Sequence, residues 1–174
     1  TTGATNPSYA HVIQPMMNAK IEWNDTAYKA GCLVQVTTLP ATNDCEFFVG
    51  IGAYSLTGNT FVRTVNHAGF YGKREAGVWN LYASQGNGTT GELSAVLTTL
   101  ASGDLLELFY VGNGGTQTDF YWNKNSGTIS SATTLTTNDP LTTDKNDNLQ
   151  GFAGNNSTAA SVVIAVGCSF FNRG

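Results

Sequence analysis

Between Cys45 and Asn123 the chain passes through short apolar, β-branched and aromatic runs, each cut off by a Gly-, Asn- or Thr-rich break. An antiparallel β-sandwich needs this rhythm: strands of a few residues alternate between core and exterior and are joined by residues that tolerate turns. The only helix-like spacing is Leu93, Val96, Leu97 and Leu100. It contains Thr98-Thr99, whose branched side chains disfavour a helix, so this stretch also reads as a strand.

On that basis strands are expected near 11–14, 20–23, 31–39, 45–53, 60–71 and 78–83, then near 93–97, 105–112, 118–123, 128–135, 149–153 and 161–171. Turn chemistry separates them at 55–59, 86–88, 112–115 and 138–140. Alternation places Phe47, Val49 and Ile51 on one face, and Val162, Ile164, Val166, Cys168 and Phe170 on another. The last strand carries apolar residues on both faces, as a central or interface strand would. Residues 1–10 show no periodicity and include Pro7, so they read as an extended arm before one sandwich domain at 11–174. Thr1, Thr2, Asn6, Pro7 and Tyr9 would meet a neighbouring subunit, which points to a homo-oligomer such as a trimer.

Charged residues are only 11% of the 174, and Gly, Asn and two dozen Thr supply the polarity. Such a surface suits packing against neighbours or sugars better than charge steering. Eight Lys and Arg against twelve Asp and Glu, without a basic cluster, offer no footprint for a phosphate backbone, so nucleic acid is not an expected partner. No run approaches the ~18 apolar residues of a membrane span.

Phe47-Phe48-Val49-Gly50-Ile51-Gly52, Val78-Trp79-Asn80-Leu81-Tyr82-Ala83, Leu105 to Val111, the Gly-rich turn and Phe120-Tyr121-Trp122-Asn123 together resemble the concanavalin-like or jelly-roll domains of bacteriophage virion proteins. The resemblance covers residues 20 to 171 and is one of pattern. It implies an all-β jelly roll in a capsid decoration protein or fibre domain, placed on the virion surface after assembly in the host cytoplasm, with other virion proteins as partners. It implies no site residues.

Concanavalin-like folds also host glycoside hydrolases, which need two carboxylates flanking the sugar bond, commonly as E-x-D-x-x-E on one strand. Asp44 with Glu46 is the nearest approach, and Phe47-Phe48 follow without a third carboxylate. Glu107 stands alone on an apolar strand, and His11 and His67 accompany no G-x-S-x-G elbow. The chain therefore reads as a non-enzyme without a required cofactor.

Calcium is the one metal with a pattern. Asp119, Tyr121 and Asn123 share a strand face in the D-x-Y-x-N order of legume-lectin sites, and Asp144 and Asn146 offer oxygens at alternate positions. In the latter loop, Leu149 and Asn155 stand where an EF-hand needs Gly and Glu. Glycan binding is the alternative to a purely structural role. Trp79, Tyr82, Trp122 and Asn123 would supply an aromatic platform with an amide beside it, although large aromatics in a sandwich are first of all core.

Cys32, Cys45 and Cys168 are an odd number, each in or beside an apolar run. A bridge between Cys32 and Cys45 is sterically conceivable on consecutive strands, yet at least one thiol must remain unbridged within the chain. Thiol titration of the native protein is expected to be slow and to become complete on unfolding; rapid labelling of all three native thiols would contradict this reading.

Overall fold

A computed structural model describes residues 8–15, 21–22, 28–41, 45–53, 55–57, 60–113, 117–138, 140, 145–146, 148–155 and 162–173. Among them run sixteen strands and no helix. These are β1 (Ser8–Pro15), β2 (Ile21–Glu22), β3 (Tyr28–Thr38), β4 (Cys45–Gly52), β5 (Leu56–Thr57), β6 (Thr60–Phe61), β7 (His67–Glu75) and β8 (Val78–Gly86). The rest are β9 (Gly91–Leu93), β10 (Thr98–Leu100), β11 (Leu105–Gly112), β12 (Thr118–Lys124), β13 (Thr133–Leu135), β14 (Lys145–Asn146), β15 (Asn148–Asn155) and β16 (Val163–Arg173).

The large sheet has the order β1-β15-β4-β7-β8-β10, with β9 also pairing β8, and the small sheet has the order β13-β12-β11-β3-β16. Their inner faces form one core. Phe47, Val49, Ile51, Phe70 and Leu81 from the large sheet meet Val34, Val36, Leu106, Leu108, Tyr110 and Phe120 from the small one. Phe70 stands edge-on to Phe120 with centroids 5.6 Å apart, a favourable arrangement beyond simple area burial. β11 alternates: Leu106, Leu108 and Tyr110 are buried, whereas Glu107 is exposed and Phe109 half-buried.

The two sheets differ in what covers their outer faces. On β4 every residue is buried, because a second aromatic cluster of Phe48, Phe61, Tyr71 and Tyr82 lies behind the large sheet. The segment from Thr60 to Asn66 makes that cover. Phe61 stacks on Phe48 with centroids 4.4 Å apart, and the Arg63 guanidinium sits 5.6 Å from the Tyr71 ring centre. The strap lies this close only because the sheet beneath lacks side chains: a Cβ at Gly86 would collide with the carbonyl oxygens of Arg63 and Val65, and one at Gly91 with that of Arg63.

Several sequence expectations change. The 60–71 strand is two elements, β6 and β7, separated by the strap. Residues 93–97 are not one strand; β9 ends at Leu93 and β10 begins at Thr98, with Leu97 N–H donating to the Leu81 carbonyl between them. Leu56–Thr57, read as turn, pairs with Thr60–Phe61. The arm is shorter than residues 1–10, since Ser8, Tyr9 and Ala10 pair with Asn155, Gly154 and Ala153 in β15. Their backbone therefore has partners inside this domain. Thr1, Thr2, Asn6 and Pro7 lie outside the described residues.

On β16, Val166 pairs with Val34 and Ser169 with Cys32. This register shift interrupts the alternation predicted to run from Val162 to Phe170. Cys32 and Cys45 are buried thiols, and burial pushes Cys32 up to about 12. Cys32 lies in the small sheet and Cys45 in the large one, and the conceivable bridge between them is not formed.

Gly86→Val should destabilise the domain by about 1–3 kcal/mol or more, the range of overpacking, by lifting the strap. Chemical denaturation would check this, with Val78→Thr on the exposed end of the same strand as a control expected to shift stability by no more than about 0.5 kcal/mol.

Candidate functional site

Two polar–aromatic clusters lie outside the core, one closed and one open. In the closed cluster, Glu46 is buried behind β4 and accepts hydrogen bonds from Phe61 N–H and the Tyr71 hydroxyl. Burial raises its pKa, and these two donors with Lys73 and Arg63 oppose that shift. At the same cluster's edge, Glu75 accepts from Lys73 (2.8 Å) and from the Tyr82 hydroxyl (2.6 Å). Those two hydrogen bonds hold its pKa below the usual carboxylate range.

His67, fully buried, completes the closed cluster. Its Nδ1 lies 2.8 Å from the Val65 carbonyl, which can only accept, so Nδ1 carries the proton and Nε2 accepts from Ser84 Oγ at 2.7 Å. Burial lowers its pKa to about 4. Satisfied on every side and roofed by the strap, Glu46 and His67 anchor Phe61 to Asn66 and present nothing to a ligand.

The open cluster is the outer face of the small sheet. Register builds a grid there from β12, β11 and β3: Asp119, Val111 and Lys29 in one row, Tyr121, Phe109 and Gly31 in the next, and Asn123, Glu107 and Leu33 in the third. Phe109 and Tyr121 are half-buried and stack face to face, with centroids 4.8 Å apart and planes 6° from parallel. Glu107 accepts from Asn123 Nδ2 at 3.0 Å. Asp119 accepts from Thr134 Oγ1 and, at 3.4 Å, from Gln117 Nε2. Among the described residues neither Glu107 nor Asp119 has an ion-pair partner; the pairs are Lys73–Glu75 and Lys124–Asp104.

The structure separates the residues predicted for glycan contact. Trp79 faces the core, stacked near Phe47 at 6.4 Å with Nε1 donating to the Pro40 carbonyl. Trp122 is partly buried against the same core, Tyr82 belongs to the closed cluster, and Asn123 is on the open face. The calcium candidates Asp119, Tyr121 and Asn123 do share that face, but Asn123 turns its amide to Glu107 and Asp119 is held by Thr134, so they do not converge as a ligand set. Asp144 lies outside the described residues, as does the side chain of Asn146, whose backbone pairs with Ile21. Phe109 was not singled out from sequence. The signal for it was the alternation of β11, which places Phe109 with Glu107 on the face away from the core.

No protein-family model and no curated protein sequence matches the chain. Solved structures do. The CBM2 module of the evolved Dit of Lactobacillus casei BL23 phage J-1 aligns with a TM-score of 0.58 at 13% identity, over 94% of this chain and 67% of that one. A legume lectin-like domain from Entamoeba histolytica aligns with a TM-score of 0.56 at 7% identity, over 96% and 79%. The GH43 protein BlXynB of Bacillus licheniformis, as its K247S mutant, aligns with a TM-score of 0.56 at 14% identity, over 94% of this chain and 32% of that chain. At such identities the likeness is one of fold, and the fold is a jelly-roll, concanavalin-like antiparallel sandwich.

Neutral His67 gives a pH signature. Its folded pKa near 4 lies below the ordinary 6.5, so the unfolded chain binds a proton that the folded chain refuses between those values. His67 should cost nothing above about pH 7 and destabilise progressively as pH falls toward 4, by on the order of 3 kcal/mol. Glu46, shifted upward, acts in the opposite direction and is common to both proteins when wild type is compared with His67→Gln. Wild type is expected to lose stability relative to that variant between pH 7 and 4 in denaturant titrations; a constant difference across this range would refute the assignment.

Proposed function

We propose that the chain is a carbohydrate-binding sandwich module of a phage particle, and that it binds glycans without cleaving them. The observation that carries this reading is the open face of the small sheet, where an aromatic pair is flanked by two carboxylates that have no cation. Sugars present an apolar ring face and outward hydroxyl donors, which aromatic rings and carboxylate acceptors complement. The fold likeness to a phage carbohydrate-binding module and to a lectin-like domain supports the same reading. The likeness to a GH43 protein is one of fold, and Glu46, the most buried carboxylate among the described residues, is roofed by the strap.

A second reading, a virion accessory protein acting as a homo-oligomer through its subunit interfaces, is favoured by β16. That strand is 11 residues long, forms the edge of the small sheet, and leaves Val163 43% exposed. A long edge with apolar exposure invites pairing with a second copy.

A glycan array with the purified protein should give selective binding, and Phe109→Ala should weaken it at least about tenfold, or 1.4 kcal/mol. Incubation with the bound glycan should release no reducing ends. An array without any binder, combined with a concentration-independent oligomer by light scattering, would replace this reading with the structural one.

A further inference from the structure

We infer, on the basis of the proposed carbohydrate-binding role, that a second recognition site lies on the large sheet, that it takes an oxyanion borne by a sugar, and that Arg63 of the strap is its anchor. Arg63 is half-buried, and its guanidinium lies 5.6 Å from the centre of the Tyr71 ring. A cation held over an aromatic face loses rotamer freedom and keeps its planar fork oriented. Among the described residues the ion pairs are Lys73–Glu75 and Lys124–Asp104, and no acceptor takes a hydrogen bond from the Arg63 side chain. The carboxylates of this cluster are engaged elsewhere. Glu46, beneath the strap, accepts from Phe61 N–H and the Tyr71 hydroxyl, and Glu75 accepts from Lys73 and the Tyr82 hydroxyl. The parallel N–H groups of Arg63 are thus left for an oxyanion from outside, the partner whose geometry they match.

The surroundings supply contacts for the sugar that carries it. Tyr71 pairs with Tyr82, and beyond them the same outer face continues as Lys73, Asn80 and Thr99, in register across β7, β8 and β10. The Lys73 side chain is 39% exposed and spends one N–H on Glu75, so its other donors remain for the oxyanion or for a hydroxyl. Asn80 is half-buried and Thr99 exposed, which adds an amide and a hydroxyl to the shelf. Arg63 and Lys73 face one exposed carboxylate, Glu75, because Glu46 is buried. The local charge therefore favours an anion although the whole chain carries −4.

The test is affinity electrophoresis of the full chain in gels containing polygalacturonate, a phosphomannan or a neutral galactan. A polyanion repels an acidic chain in general, so retention by either charged polymer requires a local site. Retention by at least one of them is expected, weakening as salt rises; polygalacturonate alone would assign a carboxylate and phosphomannan alone a phosphate ester. Arg63→Gln should weaken it about tenfold or more, as loss of a charge-assisted contact does. Arg63→Lys keeps a cation over Tyr71, and the strap with it, yet should also weaken retention because an ammonium presents no fork. Phe109→Ala, on the other sheet, should leave acidic retention unchanged. No retention by either charged polymer, or retention that Arg63→Gln or Arg63→Lys leaves intact, would overturn the inference; a neutral glycan bound through Phe109 would then still uphold the carbohydrate-binding role. Retention by no polymer, together with a glycan array without a binder, would overturn both.

Discussion

The seating of Phe61 to Asn66 on a floor of glycine decides how this sandwich presents itself. Peptide carbonyls of the strap rest where Gly86 and Gly91 offer no Cβ, and the strap is fastened at one end by Phe61 on Phe48 and at the other by His67 beneath Val65. A carboxylate, Glu46, sits inside the seam and stays satisfied because Phe61 N–H and the Tyr71 hydroxyl reach it. Removing water from such a group is costly unless each lone pair is met, so the strap and the polar seam stand or fall together.

That closure has a consequence on the opposite side of the molecule. Where the strap covers the outer side of β4, the small sheet keeps on β11 and β12 a row of half-buried aromatics with carboxylates beside it. The open side carries stacked rings, Phe109 and Tyr121, with the carboxylates Glu107 and Asp119 in the neighbouring rows. The closed side shows how a pair of perturbed groups, Glu46 and His67, can be structural: both titrate abnormally because they are buried and bonded, and neither reaches solvent.

Alternation and turn chemistry determined the class of fold. The runs Phe47-Val49-Ile51 and Leu106-Leu108-Tyr110 could bury one face only as strands, and their Gly- and Asn-rich separators could not continue them. Sequence also supplied the poverty of charge and the lack of a basic footprint. It did not separate β6 from β7, because the apolar residues of the strap, Phe61 and Val65, look locally like strand residues and serve as a cover instead.

Tertiary structure alone decided which side each aromatic faces. Trp79 and Tyr82 sit three residues apart on one strand and end on opposite sides of the sheet, because strand side chains alternate and the inner side is the core. Phe109, Tyr121 and Gly31 are far apart in the chain and become neighbours only through the registers of β11 with β12 and β3. Local pattern tells a strand which of its sides is apolar. Pairing between distant strands then assembles single residues into a surface, and pairing depends on loops and partners that no local window contains.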